Sequence, residues 1–197
     1  MVEITNYASV MAEGHSPGTS DRFAFIPTTR VIDILKDQGW EPNKISEKRA
    51  RVATTKGFQS HLIRFRQHEN MDVARIAGDL LPEIVLKNAH DGTACFLLMA
   101  GIFRLVCNNG SIVADSMFQT QRIRHIGFQD QNVIDAVYSI VETTPKIMGR
   151  VAEFKQIELD KPEQVALGLS ALEAKYGANS TALTLYDPER LVLPSRR

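Results

Sequence analysis

Residues 91–110 read DGTACFLLMAGIFRLVCNNG, from Asp91-Gly92 to Asn108-Asn109-Gly110. The run Ala94 to Cys107 is apolar except for Arg104, and periodicity alone does not separate a buried strand from a buried helix in such a run. The flanks separate them. Asp91-Gly92 is a hairpin signal and Asn108-Asn109-Gly110 a second turn signal. The second half of the run is rich in Ile, Phe and Val. The reading is therefore a strand, interrupted or bulged near Ala100-Gly101.

Working outward, Glu83 to Asn88 (EIVLKN) alternates as a strand leading into the Asp91-Gly92 turn, and Ser111 to Ile126 continues with mixed alternation. Trp40 to Gln67 reads as two strands joined by a mobile basic loop around Thr54 to Gly57, the second strand being Phe58 to Arg66. Arg22 to Ile26 alternates as a further short strand. Residues 69 to 83 turn acidic and contain Gly78 and Pro82, which reads as a loop with at most a short helix. Helices flank these strands. Pro27-Thr28-Thr29 opens one, with a threonine as N-cap and Val31, Ile32, Ile34 and Leu35 as its apolar face, and Gly39 ends it. Apolar residues from Val133 to Phe154 recur at helical spacing, with Pro145 expected to break or kink the helix near Thr144. Asp160-Lys161-Pro162-Glu163 resembles a capping box opening a helix over Pro162 to Tyr176 that stops at Gly177. Strands in the middle and helices at the end give an α+β fold: an antiparallel sheet of about four to six strands, with helices on one side and long C-terminal helices among them. The expected divisions are an irregular arm over 1–20, a single α+β domain over 21–180 and a tail over 181–197.

At 197 residues the chain is long enough to bury a core, and 44% hydrophobic with 23% charged residues excludes a wholly disordered or fibrous chain. Lysine plus arginine and aspartate plus glutamate both number 23, so any nucleic-acid site must be a local patch. Cys95 and Cys107 are too few for a disulfide framework and sit in apolar runs, which points to a reducing cytoplasm. The first 20 residues lack the pattern of a signal peptide, and no apolar stretch is long enough to span a membrane.

Sequence motifs for nucleotide loops, nucleophile elbows or zinc clusters are missing, so the expectation is a protein that is not an enzyme and has no metal and no cofactor. His90-Asp91 is the nearest approach to an acid/base pair, but a polar hairpin turn is the simpler account of it and the one expected. Charge placement is more informative. Between Trp40 and Gln67 seven cations stand against Glu41 and Glu47, an excess of five. Alternation puts Arg64 and Arg66 on one strand face and Arg122 and Arg124 on another. If those strands are neighbours, the four arginines hold a phosphate backbone. Lys48, Arg49, Arg51 and Lys56 then clamp it from the adjacent loop, and Trp40 and Phe58 stack on bases. The competing expectation is that the arginines pair with Asp72, Asp79 and Glu83 and that both aromatics belong to the core.

Several stretches carry a resemblance: Ser20 to Thr28 (SDRFAFIPT), Gly39-Trp40-Glu41-Pro42, His61 to Arg66 (HLIRFR), Pro82 to Leu86 (PEIVL), Asn88 to Thr93 (NAHDGT) and Phe103 to Gly110 (FRLVCNNG). Together they resemble the phage- and plasmid-encoded family named for domain of unknown function 932, over about residues 20 to 160. The resemblance implies residence on a mobile genetic element in a bacterial cytoplasm and carries no established activity. The resemblance implies a further helical segment past Asp187-Pro188-Glu189-Arg190, whereas this sequence stops at Arg197. A fainter, topological likeness is to single-strand annealing recombination proteins: helix, Gly-Trp, antiparallel sheet, long helix.

The resulting expectation is a non-enzymatic nucleic-acid-binding protein that binds or anneals single-stranded DNA, possible also as a homo-oligomer. The alternative is an inhibitor that blocks a host defence complex of the CRISPR type sterically, with the acidic stretch Asp72 to Glu83 entering a basic channel. No membrane partner is expected.

Overall fold

In a computed structural model describing residues 2–68, 80–105, 112–127, 130–185 and 187–191, the apolar run forms a strand over Phe96–Leu105. Its pairing with the following strand shifts register between Ala100 and Gly101, where the sequence places a bulge, and again between Ile102 and Phe103. It is the fourth strand of a five-stranded sheet: β1 (Trp40–Glu47), β2 (His61–Gln67), β3 (Leu80–Asn88), β4 (Phe96–Leu105) and β5 (Ile112–Ile123). Sheet order equals chain order and every neighbouring pair is antiparallel, so the sheet is a meander. Pro42, which has no N–H to give a ladder, lies on edge strand β1 beside a register shift between Pro42 and Lys44.

One face of the sheet makes the core. Trp40, Ile45, Ile63, Phe65, Ile84, Leu86, Phe96, Leu98 and Ala100 pack with Val31, Ile32 and Leu35 of α1 (Thr28–Asp37) and with Val133, Val137 and Ile140 of α2 (Asp130–Phe154). Both helices therefore cover the same face, giving the expected α+β architecture. Val10 and Ile26 join this core, so the N-terminal arm is ordered by leaning on it.

Several local expectations change. Arg22 lies in a turn and Phe23 to Ile26 makes no ladder; Ala24 N–H donates to the His125 carbonyl at 2.6 Å. No threonine caps α1: Pro27 occupies the N-cap position and the Thr28 hydroxyl bonds elsewhere. The second strand begins at His61 rather than Phe58, and Arg124 lies just beyond β5. Helix α2 is not broken at Pro145 but runs on to Phe154, with the Thr144 hydroxyl donating to the Ile140 carbonyl at 3.0 Å one turn back.

The contacts divide the chain into residues 1–149 and 150–197. In the second unit α3 (Lys161–Tyr176) contacts the short helices α4 (Ala182–Leu185) and α5 (Pro188–Leu191). Its capping box is complete, with Glu163 N–H donating to Asp160 Oδ1 and Asp160 N–H to Glu163 Oε2, each 2.9 Å, and Gly177 closes it at φ 87°. Among the described residues no helix is long and apolar enough to cross a membrane.

Candidate nucleic-acid interface

Arg64 and Arg66 do share a face, as alternation requires, and Glu83 of β3 shares it with them. Arg64 Nε donates to Glu83 Oε2 at 2.5 Å and Arg66 Nε to Glu83 Oε1 at 2.6 Å; the Arg64 Nη2 group also reaches Oε2. Glu83 is fully buried, the Arg66 side chain is 2% exposed and that of Arg64 is 12% exposed. A carboxylate holding two guanidiniums satisfies charge that would otherwise be stranded in the sheet. Arg66 is thus enclosed as a structural ion, and the pairing with Glu83 is the one the competing expectation named. Asp72 and Asp79, and most of the acidic stretch, lie outside the described residues, while its end at Glu83 is buried. Trp40 is core, at 1% exposure, and its position rules out stacking on a base. Phe58 is half-buried, with its carbonyl accepting from His90 N–H at 2.8 Å.

The register extends this second face across the sheet. Ser46, Leu62, Lys87, Leu97 and Arg122 form one row through the five strands, and Lys44, Arg64, Val85, Met99 and Thr120 the next. Arg64 and Arg122 therefore lie on the same face, but β3 and β4 separate their strands by about 14 Å, three interstrand spacings. The arginine strands are not neighbours. What links them is Lys87, with Lys44 on the edge, two cations that the sequence reading did not select. The signal for Lys87 was present, since it alternates with Glu83 and Val85 in EIVLKN, but its alignment with Arg122 needs the register of β3, β4 and β5. Arg122 is exposed and its Nε lies 3.1 Å from Cys95 Sγ; Arg124 is exposed beyond the strand.

The basic loop gathers more charge. Residues 48–60 wall a cleft of about 360 Å³ in which Lys48, Arg49 and Arg51 face Gln59, Ser60, Asp91 and Thr93. Lys56 is exposed on the same loop without lining the cleft. The loop is tethered: Lys48 N–H donates to the Ser60 carbonyl (2.8 Å), Ser16 Oγ to the Thr54 carbonyl (2.9 Å) and Gly57 N–H to Gln59 Oε1 (2.7 Å). A second cleft, about 290 Å³, shares Lys48 and Ser60 with the first and continues to Ser46, Leu62 and Lys87. The two clefts thus lead from the loop onto the second sheet face along Arg51, Arg49, Lys48 and Lys87.

Behind this track lies a buried polar cluster. Thr28 Oγ1 sits 2.9 Å from His61 Nε2, 3.2 Å from His90 Nε2 and 3.0 Å from Asn88 Nδ2, which also donates to the Ile26 carbonyl. The hydroxyl has one proton to give, so at least one imidazole donates to it through Nε2. Burial pushes His61 down from 6.5 to about 4, against a smaller upward pull from Glu47, and burial with the neighbouring His61 and His125 pushes His90 down to about 3. His125, stacked on Phe23 at 4.5 Å, is lowered by burial too. His90 is therefore a neutral core group, tying α1, β2 and the β3–β4 turn together. Its neighbour Asp91 accepts from Thr93 N–H and Oγ1 as a turn-forming carboxylate. The two do not form an acid/base pair.

A family model described as "Domain of unknown function (DUF932)" matches residues 18–190. The chain belongs to this family. It is similar to two proteins of Escherichia coli strain K12, UPF0380 protein YafZ and UPF0380 protein YfjQ, each 30% identical to it over 189 residues. Those alignments take in 96% of this chain and 66% of each relative, so the chain spans about two thirds of their length. No solved structure matches the chain.

Proposed function

We propose that this member of the DUF932 family is a non-enzymatic nucleic-acid-binding protein that holds a single strand along the basic track. The observation carrying the reading is the sharing of Lys48 and Ser60 by two clefts that join the loop cations Arg49 and Arg51 to Lys87 on the sheet. Phosphates bind where several cations stand on one surface, and a protein of zero net charge must build that surface locally. A flexible single strand can pass from the loop cleft onto the sheet more readily than a rigid duplex can. A mobile genetic element in a bacterial cytoplasm, as the resemblance implies, supplies single strands during replication and recombination.

The test is fluorescence anisotropy of labelled single-stranded and duplex DNA at two salt concentrations, on the wild type and on K48E/R49E/R51E. The expected result is tighter binding of the single strand, falling steeply with salt. The triple variant should bind weakly and lower the slope of log K against log salt by about 2, from about 0.7 per lost phosphate contact. Equal binding by variant and wild type would remove the loop from the interface. Absence of binding at low salt would sink the reading.

A further inference from the structure

We infer that the bases of the bound strand lie on the second sheet face, against an aliphatic strip of Leu62, Leu97 and Met99 that is interrupted by Lys87 and flanked by Lys44 and Arg122. The inference rests on the nucleic-acid reading above and assigns the two parts of the strand to two kinds of surface. Register puts Leu62, Lys87, Leu97 and Arg122 side by side on β2 to β5, with Met99 next to Leu97 on the same face of β4. Leu62 and Leu97 thus stand about 10 Å apart with Lys87 between them. Leu62, Leu97 and Met99 are half-buried and Lys44, Thr120 and Arg122 exposed, whereas at the other end of the face Glu83 and Arg66 are enclosed. Apolar area flanked by cations complements a polymer whose base faces are apolar and whose backbone is anionic. The smaller cleft joins this strip to the loop, since Leu62 and Lys87 line it together with Lys48 and Ser60.

The described side chains of this face include no aromatic, and Trp40 points into the opposite, buried face. Contact is through aliphatic carbon and the Met99 thioether, which adapts to any base and reads no base edge. Binding should therefore tolerate sequence changes.

The experiment compares an ordinary labelled oligonucleotide with an abasic one of the same length, which keeps every phosphate and lacks every base. Wild-type protein should bind the abasic strand about tenfold more weakly, at the lower end of what base contacts supply. L97Q/M99Q should bring the ordinary strand down toward the abasic value and leave the salt slope unchanged, because no cation is lost. Circular dichroism serves to check that this variant is folded, and the abasic comparison uses the wild type alone. Equal affinity for the two strands overturns the strip while leaving the phosphate track standing. Binding of neither strand at low salt overturns both and turns attention to an acidic protein partner for this face.

Discussion

Glu83 is shared by two arginines, so removing it leaves two guanidiniums in a closed environment. Glu83→Ala should cost about 3–5 kcal/mol in urea unfolding, and replacing Arg64, Glu83 and Arg66 together by apolar residues of similar volume should restore much of the loss. Survival of full stability in Glu83→Ala would show that the triad is not structurally required. His61 and His90 supply a pH dependence whose sign follows from their lowered values. The unfolded chain takes up their protons near pH 6.5, while the folded chain resists until about pH 4 and about pH 3. Their contribution is complete above pH 6.5 and is lost as pH falls. The loss is about 2 kcal/mol per imidazole between pH 6.5 and 5. Urea midpoints at pH 7 and pH 5 measure it, and H90Q should show a shallower fall than the wild type. Alternation alone placed Arg64 and Arg66 on one face; that Glu83 would stand between them needed the register of β2 and β3.

Among the elements, α3 is the one whose ends are written most plainly in its residues. The reciprocal bonds of Asp160 and Glu163 at its start are local, so spacing in sequence suffices to foresee them. Asp160→Ala should lower stability by about 1 kcal/mol, read as an earlier loss of helical signal in thermal melts, and an unchanged melt would show that the box contributes nothing. Strand β4 was legible for a similar reason, through the turn signals beside it and the glycine at its bulge. The start of α1 was not. Thr28 has the chemistry of a cap, but His61 and, from a second distant stretch, Asn88 and His90 take its hydroxyl, and Pro27 holds the cap position instead. Long-range bonds outbid a local one there.

For the whole molecule, equal numbers of opposite charges leave function to their placement. Half of the expected arginine face proved to be an internal ion cluster, and a loop cleft and Lys87 took over as the accessible cations. The amino-acid sequence by itself determined the α+β class, the strand run with its bulge, the capped helix, the family and the concentration of charge between Trp40 and Gln67. Each of these follows from neighbours a few residues apart or from motif order along the chain. Tertiary structure alone decided which cations are paired, which aromatics are buried, and that Lys44, Lys87 and Arg122 share one face. Those outcomes depend on strand register, which brings onto one face residues far apart in the chain, such as Arg66 with Glu83 and Lys44 with Arg122, and which no local pattern encodes.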